Sequence, residues 1–265
     1  MAVTLLPQAE FVDSVGGDRV NVAVMVPPGA DPHTYELNPS QLVQVSKARM
    51  YAKVGSGVEF ELTWMDKLIA QNKKMLVVDC ASGVQLMQLV EDEHHGVEEE
   101  EHHTGSDPHI WLSPHDAKIM VENIYQGLVR IDPEGAVYYT ENKDAYLAEL
   151  DRLDKDIREG LAGVKNRRFI VFHPAWGYFA RDYNLEQLAI EISGKEPSAK
   201  DIANLVKVAK ENNIKVIFAS PQFNPQSAQV IAQEIGGRVI FIDDLAGNYI
   251  DNMNLVLGEL VKAVE

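Results

Sequence analysis

The sequence predicts an α/β protein of two lobes, each with a largely parallel sheet, joined by one long rigid connector helix. Three observations predict it. Strand-like apolar runs alternate with helix-periodic runs, the pattern of α/β units around parallel sheets. That alternation occurs twice, on either side of one long helical stretch. The chain has 265 residues, which at about 150 residues per domain suits about two domains. The expected boundaries are an N-terminal lobe over 1–131, a connector over 132–164 and a C-terminal lobe over 165–265.

In the first lobe the strand candidates are Val3–Leu6, Val20–Val26, Met50–Val54 and Met75–Val78. Helices are expected at 8–16, 38–48 and 58–72, and Asn38-Pro39-Ser40 supplies a cap-and-proline start for the second. In the second lobe the strands are Phe169–Phe172, Leu185–Ile190, Val216–Ala219 and Val239–Ile242. Helices are expected at 174–183, 198–213, 224–235 and 248–264. Ser198 is the expected cap of 198–213, whose residues Ile202, Leu205, Val206 and Ala209 form one apolar stripe. Gly236-Gly237 stops the next helix.

Between the lobes, a helix from Ser113 to about Ile131 ends at Asp132-Pro133. A longer helical run continues to about Gly163. In it Tyr146, Leu150, Leu153, Ile157 and Leu161 recur at helical spacing, the mark of one buried face. About thirty helical residues would span about 45 Å, enough to cross a small domain. The competing reading is an ordinary helical hairpin within one domain.

Composition narrows the function. Basic residues number 24 against 40 acidic, a net charge of -16. Nucleic-acid phosphates would be repelled, so no nucleic-acid partner is expected; a cationic ligand fits better. No apolar run approaches the roughly 20 residues of a membrane helix. The single cysteine, Cys80, excludes an intrachain disulfide and any zinc site built on two or four cysteines. Met1-Ala2 runs straight into an apolar segment, with no basic n-region, apolar h-region or cleavage site. Either the protein is cytoplasmic or the chain starts at a mature residue behind an added Met.

Half of the charge excess lies in residues 91–107, EDEHHGVEEEEHHTGSD, with eight acidic and no basic residues. The segment lacks apolar periodicity and reads as a solvated loop. His94, His95, His102 and His103 lie within it. Among so many carboxylates they are expected to form secondary, weaker metal sites; an inert charged linker is the alternative.

Of the eight histidines, three share another setting. His33 sits in Asp31-Pro32-His33 after a strand, His109 in Asp107-Pro108-His109 before a helix, and His173 in His173-Pro174 at a strand end. Each adjoins a proline, which stiffens the backbone that carries the imidazole. In open α/β sheets ligands bind beyond the carboxyl ends of the strands. His33 and His173 lie at such places, one per lobe, as does Asp243 after Val239–Ile242. Three imidazoles and a carboxylate suit tetrahedral zinc. Asp244, Glu36 or water are rivals for the fourth position. His115, in a helix's first turn, reads as solvent-exposed and not a ligand.

The chain resembles the solute-binding proteins of zinc and manganese ABC importers, the metal-binding receptor group also called cluster A-I. The matching stretches are VPPGADPHTYELNPSQ (26–41), DPHIWLSP (107–114), FHPAWGYFARDY (172–183), SGKEPSAKDI (193–202), FASPQFNP (218–225) and FIDDLAGNYIDNM (241–253). The acidic His-rich loop before DPHIWL is also a mark of zinc-type members. The resemblance implies two α/β lobes on one long helix with the metal in the interlobe cleft. His33 and His109 would come from the N-terminal side, and His173 and Asp243 from the C-terminal lobe. Manganese-type members carry a glutamate at the third position, so His173 points to zinc, consistent with imidazole suiting zinc and oxygen ligands suiting manganese. The resemblance also implies a periplasmic or cell-surface location, by secretion or lipid anchoring, and an ABC importer permease and its ATPase as partners. The receptor is expected to be a monomer.

The leading expectation is therefore metal capture and delivery, not catalysis. Catalytic zinc sites keep an open position, which Asp243 would close. Manganese, iron or nickel are alternative cargoes. A zinc hydrolase with Asp243 or Glu36 as general base is the enzyme alternative; it lacks HExxH, a nucleophile elbow and a phosphate-binding glycine loop.

Overall fold

The computed structural model describes residues 1–88, 105–191 and 197–264. In the N-terminal lobe β1 (Ala2–Val3), β2 (Ala23–Val24), β3 (Met50–Lys53) and β4 (Leu76–Asp79) alternate with α1 (Leu6–Gly16), α2 (Pro39–Lys47) and α3 (Glu59–Gln71). Next come α4 (Pro114–Ile131) and α5 (Ala136–Leu161). The C-terminal lobe holds β5 (Arg168–Val171), α6 (Gly177–Asp182), β6 (Glu186–Ala189), α7 (Ala199–Glu211), β7 (Val216–Ala219), α8 (Gln226–Glu234), β8 (Arg238–Phe241) and α9 (Tyr249–Val264).

The two lobes repeat one topology. Their sheets run β2-β1-β3-β4 and β6-β5-β7-β8, and every pairing is parallel. In each, the second strand lies outside the first and the third on its other side. The order in which strands are added reverses there, which opens a crevice beyond the carboxyl strand ends. Central strands β3 and β7 are buried almost throughout, as parallel strands covered on both faces require.

Local chemistry sets the helix starts. The Asn38 side chain accepts from the Gln41 amide at 3.2 Å while Gln41 reaches back to the Asn38 amide at 3.0 Å, a reciprocal cap with Pro39 in the first turn. Ser113 caps α4 through the Asp116 amide at 3.1 Å, and Ser198 caps α7 as expected. Two elements are shorter than their apolar runs suggest. The helix α1 begins at Leu6 with Pro7 in its first turn, so β1 stops early. Ladder-like bonds from Met25 and Val26 to Val3 and Thr4 continue past β2 until Pro27, which has no amide proton to give.

The connector expectation holds. The 26 residues of α5 span about 39 Å at 1.5 Å each, behind a short turn at Pro133–Gly135. Tyr146, Leu150, Leu153, Ile157 and Leu161 are all buried, as their spacing predicts. They pack α5 against α4, α1 and α9, so the last helix returns from the C-terminal lobe to the N-terminal one. One hydrophobic core accordingly runs through both lobes, with Phe11 and Tyr249 in edge contact at 5.0 Å between ring centres. A second, smaller core around Ile170, Ile217 and Ile231 belongs to the C-terminal lobe alone.

Among the described residues no helix is long and apolar enough to cross a membrane. The expectations for His94, His95, His102 and His103 fall outside the described residues. Just beyond that stretch, Ser106 pairs with Gln88 in an antiparallel bridge.

Candidate metal centre

His33 follows β2 at the carboxyl end of its sheet. Asp31 braces it: one carboxylate oxygen accepts the His33 amide at 2.9 Å and the other the Thr34 hydroxyl at 3.1 Å. The ring Nδ1 lies 2.8 Å from Oε2 of Glu59. Glu59 opens α3, and the turn before it is held by buried Glu61, which accepts the Val54 and Gly55 amides at 2.6 and 2.9 Å. Burial pushes the Glu61 carboxyl up, against those amides and the Thr4 hydroxyl. Gly55 has φ +86°, and a Cβ there would meet Asp79 at 2.0 Å, so the turn needs glycine.

His109 is buried. One Asp107 oxygen accepts both the His109 amide at 2.9 Å and the ring Nδ1 at 2.8 Å. His173 lies two residues past the carboxyl end of β5 and is also buried. Its Nδ1 lies 2.7 Å from Oε2 of Glu191, just past β6, and its ring stacks on Phe223 at 4.7 Å. Asp107 and Glu191 thus hydrogen-bond Nδ1 of His109 and His173, which favours the proton on that nitrogen, while Glu59 stands at ion-pair distance from Nδ1 of His33.

The other nitrogens converge. His173 Nε2 lies 3.1 Å from His109 Nε2 and 3.3 Å from His33 Nε2. With the proton on Nδ1 beside its carboxylate, each Nε2 would present a lone pair. Lone pairs this close repel unless a proton or a metal cation stands between them. Two nitrogens bound to one tetrahedral zinc at about 2.0–2.1 Å stand roughly 3.3–3.4 Å apart; the His33–His173 separation of 3.3 Å equals this and the His109–His173 separation of 3.1 Å falls just short of it. The donor set is nitrogen-rich, as zinc prefers.

Electrostatics agree at His33. Burial would lower its pKa, but the bond and charge of Glu59, with Asp31 and Glu191 behind, raise it overall. Burial likewise works to raise Glu59, and the His33 bond outweighs it, so that carboxyl is held below its usual range.

Among the described residues the ligand atoms of His33, His109 and His173 lie within 4.8 Å of one another; Asp243 is not in that group. Asp243 Oδ1 accepts from Gln222 Nε2 at 2.7 Å and the Leu245 amide at 2.9 Å, and Gln222 precedes the Phe223 that stacks on His173. Asp244 is buried, with one carboxylate oxygen lacking a hydrogen-bond partner, and its carbonyl accepts the Trp111 indole at 2.7 Å. Glu36 is exposed.

His115 is exposed, as expected, but sits beside Asp116 at 3.0 Å and forms a second group with Asp116 and Asp182. A cation already serves those carboxylates: the Arg181 guanidinium reaches Asp116 at 2.8 Å and Asp182 at 2.7 Å. Ser113 also bonds Asp182.

The residue-by-residue reading of the sequence missed Glu59, Asp107 and Glu191. Asp107 was legible in principle, since Asp-Pro-His places a carboxylate two residues from the ring. Glu59 and Glu191 reach their histidines only through the tertiary fold.

Two parallel α/β lobes on one connector helix, with three imidazoles gathered between them, define a two-lobed metal-binding protein. Comparison with known proteins narrows the class. The chain belongs to the family described as zinc-uptake complex component A, periplasmic (ZnuA), which matches residues 1–263. It is 32% identical over 251 residues to the high-affinity zinc uptake system protein ZnuA of Bacillus subtilis (strain 168), covering 93% of this chain and 78% of that one. It is 31% identical over 262 residues to the zinc-binding protein AdcA of Streptococcus pyogenes serotype M3, covering 93% of this chain but only 50% of AdcA. The crystal structure of a ZnuA deletion mutant with zinc bound superposes with a TM-score of 0.91 at 40% identity, covering 100% of this chain and 97% of that one.

Proposed function

We propose that this chain is a zinc-binding receptor that captures the ion with His33, His109 and His173 and delivers it to an ABC importer. The observation that carries this reading is the convergence of three Nε2 atoms, 3.1 and 3.3 Å apart, from two lobes. Zinc uptake by the ZnuA relative and zinc binding by AdcA support it.

The chain carries its metal and does no chemistry with it. Asp243 closes the coordination from the C-terminal lobe, already oriented by Gln222 and Leu245, since ligating carboxylates are themselves hydrogen-bonded. The importer's permease and ATPase are the partners, the location is periplasmic or cell-surface, and the receptor acts as a monomer. Residues 1–131, 132–164 and 165–265 are its lobes and connector. His94, His95, His102 and His103 add weaker zinc binding beside the tight site.

Neutral imidazoles bind the metal, so protons compete with it. The deciding experiment is competitive titration of the metal-free protein with zinc and manganese, followed by elemental analysis. One tight zinc per chain, not displaced by equal manganese, is expected. Displacement by manganese would overturn the choice of cargo. Turnover of ester, phosphate or amide substrates would revive the hydrolase reading.

A further inference from the structure

Two Asp-Pro-His tripeptides carry ligands, and in both the aspartate accepts the histidine amide at 2.9 Å. Their supports differ. Around His33 the braces Asp31, Thr34 and Glu59 all belong to the N-terminal lobe. Around His109 the brace leans on the other lobe.

Asp107 spends one oxygen on the His109 amide and ring. Its second oxygen lies where α6 begins: a Cβ on Gly177 would stand 2.5 Å from it. The Tyr178 hydroxyl donates to the Asp107 carbonyl at 2.8 Å and accepts the Met87 amide at 3.0 Å. Tyr178 is fully buried, and Asp107 is only 6% exposed. The first two residues of α6, four and five positions after His173, therefore form a seat for the aspartate that holds His109. A pinned carboxylate cannot swing away from an added methyl group as a long flexible side chain would.

We infer that Gly177 and Tyr178 are positioning residues for His109, acting across the cleft through Asp107. This inference rests on the three-histidine reading above. The seat exists only while the lobes are docked, so lobe docking and the posture of His109 are one event. His33 stands outside that linkage. Ligands from opposite lobes, His109 and His173, thus share a rigid frame, while His33, on the same lobe as His109, has its own.

The test measures zinc affinity of Tyr178→Phe and Gly177→Ala by competition with chelators of graded strength, each in three backgrounds: wild type, His33→Ala and His109→Ala. Tyr178→Phe should weaken wild-type binding about fivefold, the scale of one neutral hydrogen bond. Gly177→Ala should weaken it roughly 10–100-fold, the scale of a disturbed outer partner. Both losses should persist in His33→Ala and vanish in His109→Ala, which a general structural defect would not reproduce. Equal losses in all three backgrounds, or none in wild type, would overturn the inference. If His109→Ala itself left zinc affinity unchanged, the site reading would fail instead. Circular dichroism of the metal-free variants checks folding; should Gly177→Ala not fold, Tyr178→Phe, which keeps the ring, decides alone.

Discussion

The Glu10 carboxylate on α1 accepts the Tyr146 hydroxyl of α5 at 2.6 Å. The same carboxylate also receives the Tyr249 and Ile250 amides at the start of α9. One side chain from the first helix therefore caps the last helix and fastens both to the connector. A carboxylate is suited to this, because a helix N-terminus presents free amides and partial positive charge.

Removing that carboxylate leaves buried donors unpaired. Glu10→Ala should lower stability by about 2–4 kcal/mol, or several degrees in Tm for a chain of this length. Glu10→Gln keeps an acceptor and should lose less. Thermal unfolding of the metal-free protein checks both; an unchanged Tm in Glu10→Ala would refute the capping role.

Each histidine should carry a large share of the zinc affinity. His33→Ala, His109→Ala and His173→Ala should each weaken zinc binding by more than the roughly 10–100-fold typical of an outer partner. Asp243→Ala should weaken it as well. Wild-type affinity in all three histidine variants would mean the metal binds elsewhere.

Glu59 makes a pH-dependent contribution with a defined sign. It raises the His33 pKa against the opposing effect of burial, so protons begin to displace zinc at a higher pH than they otherwise would. In Glu59→Gln the His33 pKa falls, and the pH at which binding starts to weaken should move down. The affinity on the neutral plateau should drop at the same time, because the ring loses its charged orienting partner. Zinc affinity measured across pH reads both effects, and an onset that stays put would show that Glu59 does not act through His33.

Arg181 joins the lobes, bridging Asp116 of α4 and Asp182 of α6. The Asp116 side chain is 2% exposed, so losing its cation leaves a nearly buried charge. Arg181→Met should cost about 2–3 kcal/mol, below the full range for a buried pair because the arginine is itself partly exposed. Denaturant unfolding measures it. A variant as stable as wild type would assign those carboxylates another partner.

Deleting residues 92–104 should reduce the number of zinc ions bound while leaving the tight site unaltered. Equilibrium dialysis at saturating zinc, paired with competition titration, separates the two quantities. Unchanged stoichiometry would make the segment an inert linker.

Much of the architecture was legible because burial imposes periodicity. The α5 stripe at Tyr146, Leu150, Leu153, Ile157 and Leu161 is buried as its spacing demands, and caps at Asn38 and Ser198 lie where local chemistry puts them. Strand ends were less legible: the apolar run at Val20–Val26 continues beyond the two paired residues of β2, and hydrophobicity alone does not mark where a ladder stops. The return of α9 to α1 was not legible at all, since Glu10 and Tyr249 lie 239 residues apart.

By itself the sequence determined the two α/β lobes, the connector and the three histidines, since periodicity and proline-stiffened loops are local properties of the chain. Only the tertiary structure decided how those histidines are held. Glu59 and Glu191 come to His33 and His173, and Gly177 and Tyr178 to Asp107, through contacts between distant segments. Hydrogen bonds act over about 3 Å, and which residues come that close depends on the packing of both lobes rather than on any spacing along the chain.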